Sequence, residues 1–393
     1  MMGFLTLSEL SKNFGKVKLL DHLSLTVNKG EILVIFGPSG AGKTVLLRLI
    51  AGVERWESGT MSLDGRDMTY DPPEHRGFGV AFQNFALFPH MTAFANIATP
   101  LIARKHSQND IAEQVHKIAA LLKIDQVLGH YPKQLSNGQK QRTALARALV
   151  ARPALLLLDD PLRNVDAKLR FEMRLELPRL LRESGATVIY VTQDYREAMA
   201  LGERIAIMMQ GKLVQIDTPR GIYQHPATIK VAQLFGDPTL NLFNVTPMMN
   251  QAANEISVSL GGGELKLSGA VAAGLIQAVT DEKSLVLGIR PEDIDFVALG
   301  GKSAALSPSP RQMLKIKAKL AAITPLNERV VSFLTTSTGE EILCSRPATE
   351  GRDPTSFVQN EWVELGLALD KILIFGGQSG KFLAQVTAAE PVM

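Results

Sequence analysis

Gly37, Pro38, Ser39, Gly40, Ala41, Gly42, Lys43 and Thr44 spell G-x-x-x-x-G-K-[ST]. The motif follows a near-continuous apolar run, EILVIF at residues 31–36, and opens a helical run at residues 45–50. Strand, glycine loop and helix in that order predict a phosphate cradle in an α/β unit. The glycines let backbone N–H groups wrap an anion, and the helix N-terminus adds a favourable dipole. Lys43 then supplies a point charge for the β- and γ-phosphates, and Thr44 a hydroxyl for Mg²⁺. Two further runs, ALLLL at 154–158 and TVIYVT at 187–192, read as strands buried on both faces. The first 237 residues are therefore expected to be α/β.

Asp159 closes a second expected strand, within LLLLDD at 155–160. An Asp there reads by itself as a helix cap; beside a phosphate loop it reads as a carboxylate that holds Mg²⁺ through water. ATP with Mg²⁺ is the first candidate ligand, with Thr44 and Asp159 on the metal.

Between residues 89 and 150 the strand pattern gives way to helical spacing. Ile111, Val115, Ile118, Ala119 and Leu122 fall on one face, so a helical subdomain is expected within the α/β core. From residue 238 onward short alternating segments take over, at 255–260, 284–290, 315–323 and 361–367. Residues 330–345 predict a hairpin around Ser337, Thr338 and Gly339, and 299–312 a long loop. Two domains are expected, 1–237 and 238–393, the second small, all-β and barrel-like.

A chain of 393 residues exceeds one ordinary domain. Its 46% apolar and 21% charged residues can build a core, which excludes disorder as the main state. With 42 basic and 39 acidic residues, no concentrated basic face stands out, so nucleic acid is not an expected partner. The single cysteine, Cys344, excludes an internal disulfide or a Cys-based zinc site and suits a reducing compartment. No apolar run reaches the ~20 residues of a membrane span, and no secretory signal is read at the N-terminus.

Leu135, Ser136, Asn137, Gly138 and Gln139 precede a helix that runs to about residue 150. Ser136 is placed to cap it, and Gln139 lies at the return position of a capping box. This segment also resembles the signature motif of ATP-binding cassette (ABC) proteins. Gln83 in AFQNFALFPHMT is similar to the Q-loop, residues 163–166 (RNVD) to the D-loop, and Phe14 to the aromatic that stacks on adenine. From the residues alone Phe14 reads as core and Gln83 as solvent-facing. The run SLVLGIRPEDI at 284–294 resembles the start of the regulatory (OB/TOBE-like) β-domain of carbohydrate-type importers, which serve maltose, glycerol phosphate and polyols. The resemblance implies a head-to-tail pair of cassettes. Each ATP would lie between the phosphate loop of one subunit and Ser136, Gly138 and Gln139 of the other, with Gln83 touching Mg²⁺. It also implies two transmembrane permease subunits, a periplasmic or extracellular solute-binding protein, and a peripheral place on the cytoplasmic face of a bacterial inner membrane. The expected solute is a sugar, polyol or glycerol-like molecule; the alternatives are a nucleotide-sensing regulatory subunit with little hydrolysis, or the ATPase of an inorganic-ion importer.

Four positions depart from the family pattern. Asp160 stands where a Glu usually polarises the attacking water, and its carboxylate is ~1.5 Å shorter; a misplacement of ~1 Å costs on the order of 10²-fold in rate. Gln193 replaces the switch His, and an amide donates a hydrogen bond without becoming a cation. Val45 lacks a hydroxyl, and Asn137 replaces a Gly. Binding is expected to persist and hydrolysis at this site to be slow. That favours pairing with a second, different ABC ATPase subunit over a homodimer.

Overall fold

The computed structural model describes residues 3–82, 84–250, 255–299, 302–303, 312–326, 329–348 and 360–386. They form two compact units, Met1–Arg220 and Gly221–Met393.

The first unit holds two sheets. Strands β1 (Leu5–Phe14), β2 (Val17–Val27), β4 (Ser58–Leu63) and β5 (Arg66–Asp67) pair antiparallel in the order β2-β1-β4-β5. The second sheet runs β10-β9-β3-β8-β7-β6, from β3 (Ile32–Phe36), β6 (Gly79–Ala81), β7 (Leu155–Asp159), β8 (Thr187–Thr192), β9 (Arg204–Met209) and β10 (Lys212–Asp217). Only the β9–β10 pair is antiparallel. Every residue of β3, β7 and β8 is buried, as strands covered on both faces must be.

Helix α1 (Lys43–Ala51) lies in the layer between the sheets. Its Leu46, Leu47, Leu49 and Ile50 share one apolar cluster with Leu5, Leu7, Leu20 and Leu25 of the first sheet and Leu33, Leu155, Ile189 and Met208 of the second. Fully burying a side chain of this size contributes ~1.5–3 kcal/mol, so α1 is held rigidly from both sides. The antiparallel sheet was not legible beforehand.

The helical subdomain consists of α3 (Ala93–Ala103), α4 (Gln108–Leu121) and α5 (Asn137–Val150), after the single turn α2 (Pro73–Arg76). Ile111, Val115 and Ala119 are the buried face of α4, as their spacing predicts. Helices α6 (Ala167–Ser184) and α7 (Tyr195–Leu201) complete the unit.

The second unit begins at Gly221, where residue 238 was expected. Its first segment carries α8 (Pro219–Gln224, which spans the division) and α9 (Ile229–Gln233). Ala232 packs with Leu240, Val286, Leu373 and Phe375. Arg290 donates to the carbonyls of Phe235 and Tyr223 and lies 3.6 Å from the Tyr223 ring centroid. These contacts tie residues 221–237 to the β-domain, and nothing in their composition announces it.

Among the described residues, three antiparallel sheets surround one core: β11-β15-β22-β23, β12-β13-β14 and β17-β16-β21-β18-β19-β20. The strands are β11 (Asn241–Val245), β12 (Met248–Asn250), β13 (Glu255–Leu260), β14 (Gly263–Leu267), β15 (Leu285–Ile289), β16 (Ile294–Leu299), β17 (Lys302–Ser303), β18 (Met313–Leu326), β19 (Arg329–Thr336), β20 (Glu341–Pro347), β21 (Trp362–Ala368), β22 (Leu373–Gly376) and β23 (Phe382–Gln385). The expected hairpin is β19–β20. The domain also carries a helix that the sequence analysis did not anticipate, α10 (Gly269–Glu282), which buries Ala272, Leu275 and Val279 in the core. The expected 299–312 loop lies mostly outside the described residues.

Candidate nucleotide site

Parallel pairing assembles the site. Strand β3 lies between β8 and β9, and β7 pairs with the far edge of β8. Parallel strands bring their carboxyl ends to one edge, the edge at which open α/β sheets bind ligands. The loop after β3, the Asp159–Asp160 pair ending β7, and Gln193 after β8 leave from that edge. They line one cleft of about 290 Å³ with Leu19 and Arg163.

The loop at residues 37–42 needs its glycines. A Cβ on Gly37 would lie 2.1 Å from the Met208 carbonyl oxygen, and Gly42 has φ +100°; a side chain is excluded at the first and strained at the second. Gly42 is also the N-cap of α1 and offers no side-chain acceptor, so the first-turn N–H groups are left for another partner. Lys43 is buried, and its Nζ donates to the carbonyls of Gly37 at 2.7 Å and Pro38 at 2.8 Å. Burial pulls its pKa down, against the pull of Asp160 and Asp159 in the other direction.

Thr44 Oγ1 donates to Asp159 Oδ1 at 3.1 Å. Burial pushes the Asp159 carboxyl above its ordinary range, while the Thr44 hydrogen bond and nearby Arg48 and Lys43 oppose it. A hydroxyl and a buried carboxylate side by side are the oxygen donors a hard divalent cation takes. With the ammonium and the uncapped helix start beside them, the set fits a nucleoside triphosphate with Mg²⁺.

Asp160 holds φ +48° and its N–H donates to the Val191 carbonyl at 2.8 Å. Burial raises its pKa to about 6, with Arg163, whose Nη1 is 3.9 Å away, opposing. Gln193 is exposed on the cleft. Val45 packs partly into the core beneath α1 and also lines the cleft.

Ser136, Gly138 and Gln139 do not line this cleft. They start α5, where Ser136 Oγ accepts from the Gln139 N–H at 3.2 Å and Gln139 Oε1 from the Ser136 N–H at 2.9 Å. Asn137 is simply the first residue of the helix and needs no positive φ. Phe14 ends β1, is 75% exposed and is absent from the cleft lining, which Leu19 of β2 supplies from the same hairpin. Gln83 lies outside the described residues.

Sequence reasoning missed Leu19, Arg163 as a lining residue, and Gln141. The last is 3% exposed and bonds the loop that carries Asp160. Its place on the apolar phase of α5 was the available signal.

The ABC transporter family matches residues 20–163. The chain is 40% identical over 300 residues to the trehalose import ATP-binding protein SugC of Mycobacterium tuberculosis, covering 76% of this chain and 74% of that one. It is 38% identical over 381 residues to the sn-glycerol-3-phosphate import ATP-binding protein UgpC of Escherichia coli, covering 97% and 99%. The spermidine/putrescine import ATP-binding protein PotA of Marinobacter nauticus is 45% identical over 233 residues, 59% of this chain and 62% of that one. In structure, the ATP-binding cassette MJ0796, solved as a dimer in a post-hydrolysis state with ADP and Pi, matches with 29% identity and a TM-score of 0.52. That match covers 55% of this chain and 99% of the cassette. With its phosphate loop, Thr44–Asp159 pair and signature turn in family order, the chain belongs to the ABC transporter family of ATPases.

Proposed function

We propose that the chain is the ATP-binding, energy-coupling subunit of a bacterial importer, seated on the cytoplasmic face of the inner membrane. It works with two transmembrane permease subunits and a periplasmic or extracellular solute-binding protein. The observation that carries this reading is the joining of Lys43, Thr44 and Asp159 around an uncapped helix start. No helix among the described residues is long and apolar enough to cross a membrane.

In this reading Lys43 and the N–H groups of the loop bind the β- and γ-phosphates, Thr44, Gln83 and Asp159 hold Mg²⁺, and Phe14 stacks on the base. Bound Mg²⁺ supplies charge neutralisation at the phosphates. Asp160 orients the attacking water, and Gln193 donates to the γ-phosphate. Ser136, Gly138 and Gln139 serve the ATP of the opposing cassette, because a helix start aimed outward favours an anion across an interface. The second unit is the regulatory β-domain. The solute is a sugar, polyol or glycerol-like molecule, supported by the match to UgpC across nearly all of both chains. Reconstituting the complex in vesicles tests this: ATPase activity rises with loaded binding protein for a polyhydroxylated solute and stays flat for polyamines or inorganic ions.

A second reading, favoured by Asp160 and Gln193 standing together at one cleft, pairs this chain with a different ABC ATPase subunit. This chain's own site then hydrolyses slowly while its signature turn completes the partner's site. Counting distinct ATPase chains in the intact complex by mass spectrometry decides it; two copies of this chain with no other cassette exclude the heterodimer.

A further inference from the structure

The geometry points to Gln141 as the positioning residue that ties this chain's nucleotide cleft to its outward-facing turn at residues 136–139. Gln141 is 3% exposed. Its Nε2 donates to the Asp160 carbonyl at 3.1 Å, and its Oε1 accepts from the Asn164 N–H at 3.2 Å. Only one orientation of the amide serves a carbonyl and an N–H together, so the side chain is fully specified by these two backbone groups.

Both groups belong to the loop between β7 and α6, which also carries Arg163. Arg170 of α6 donates to the carbonyls of Leu162, Arg163 and Val165 at 3.2, 2.8 and 2.9 Å. The loop is thus fixed to α6 by Arg170 and to α5 by Gln141. Two residues before Gln141, Gln139 closes the capping box on Ser136. A buried polar group left without its partner is strongly disfavoured. The loop and the first turn of α5 therefore move together or lose both bonds. Asp160 and Arg163 line the cleft, so a ligand that orders them orders the first turn of α5 through Gln141.

This inference rests on the reading of the cleft as an ATP site. The test is amide hydrogen exchange on the full chain, with and without MgATP, for the wild type and Gln141→Leu. In the wild type MgATP slows exchange at residues 37–51, at 160–166 and, by about fivefold, the size of a modest coupling energy, at 137–142. In Gln141→Leu the protection at 37–51 remains and that at 137–142 is lost. A role in stability alone raises exchange equally with and without nucleotide. Protection at 137–142 that survives in Gln141→Leu, or is missing from a wild type protected at 37–51, overturns the inference. No protection at 37–51 in the wild type overturns the ATP reading instead. If Gln141→Leu does not fold, Gln141→Glu decides by the same comparison, since it keeps the acceptor for Asn164 and loses the donor to Asp160.

Discussion

Thr44 Oγ1 donates to Asp159 Oδ1 at 3.1 Å, joining two side chains 115 residues apart in sequence. The contact spans the width of β8, because Thr44 rides on α1 after β3 while Asp159 ends β7. A hydroxyl and a carboxylate beside a lysine are the oxygen donors a hard divalent cation takes, and the carboxylate supplies the charge. Asp159→Asn keeps the shape and removes that charge. It is expected to weaken MgATP binding by at least about tenfold, roughly 1.4 kcal/mol. Binding of ATP in EDTA changes much less. Titration calorimetry with and without Mg²⁺ measures both; equal losses in the two conditions contradict a metal role.

Asp160 offers a pH test that needs no ligand. Its folded pKa, about 6, lies above its ordinary value of 3.8, so the folded state holds this proton more tightly than the unfolded one. The stability this contributes is present below about pH 4 and is lost as the pH rises through about 6. A shift of two units is about 3 kcal/mol at most, and relaxation reduces it. Asp160→Asn, measured in EDTA, is expected to be about 1–2 kcal/mol more stable than the wild type at pH 7, with the advantage shrinking toward pH 4. Thermal melts across that range check it. A difference independent of pH means that burial does not hold this carboxyl up.

Hydrolysis is expected to be limited by reach and by the missing imidazole. Asp160→Glu with Gln193→His extends the carboxylate by ~1.5 Å and restores a group that can become cationic. In an assembled complex the double variant is expected to hydrolyse ATP at this site at least about tenfold faster, within the range that ~1 Å of misplacement costs. Single-turnover measurements separate this from binding. No gain places the limit at Val45 or in the opposing subunit.

The site was largely legible because its chemistry is local. The glycine loop, Lys43 and Thr44 are contiguous, and Asp159 and Gln193 each end an apolar run that could only be a buried strand. What stayed hidden depends on tertiary pairing. Leu19 reaches the cleft through the register of the β1–β2 hairpin, which apolar spacing does not encode. The role of Gln141 rests on two backbone groups about twenty residues away. Likewise, residues 221–237 belong to the second unit through Arg290 and Phe375, long-range contacts that leave no mark on local composition. Helix α10 was lost for a different reason: glycine and alanine dilute the spacing of Leu275 and Val279, the residues that face the core.

The cleft at the ends of β3, β7 and β8 is proposed to be a MgATP site built on Lys43. Equilibrium binding of MgATP to the full chain and to Lys43→Ala tests it most directly, with thermal melts confirming that the variant is folded. Lys43 is the only cationic side chain of residues 37–44 and the one placed for the β- and γ-phosphates. The wild type is expected to bind saturably, and Lys43→Ala to lose binding by about 100-fold or more, roughly 2.7 kcal/mol. A folded Lys43→Ala that binds MgATP as tightly as the wild type contradicts the assignment.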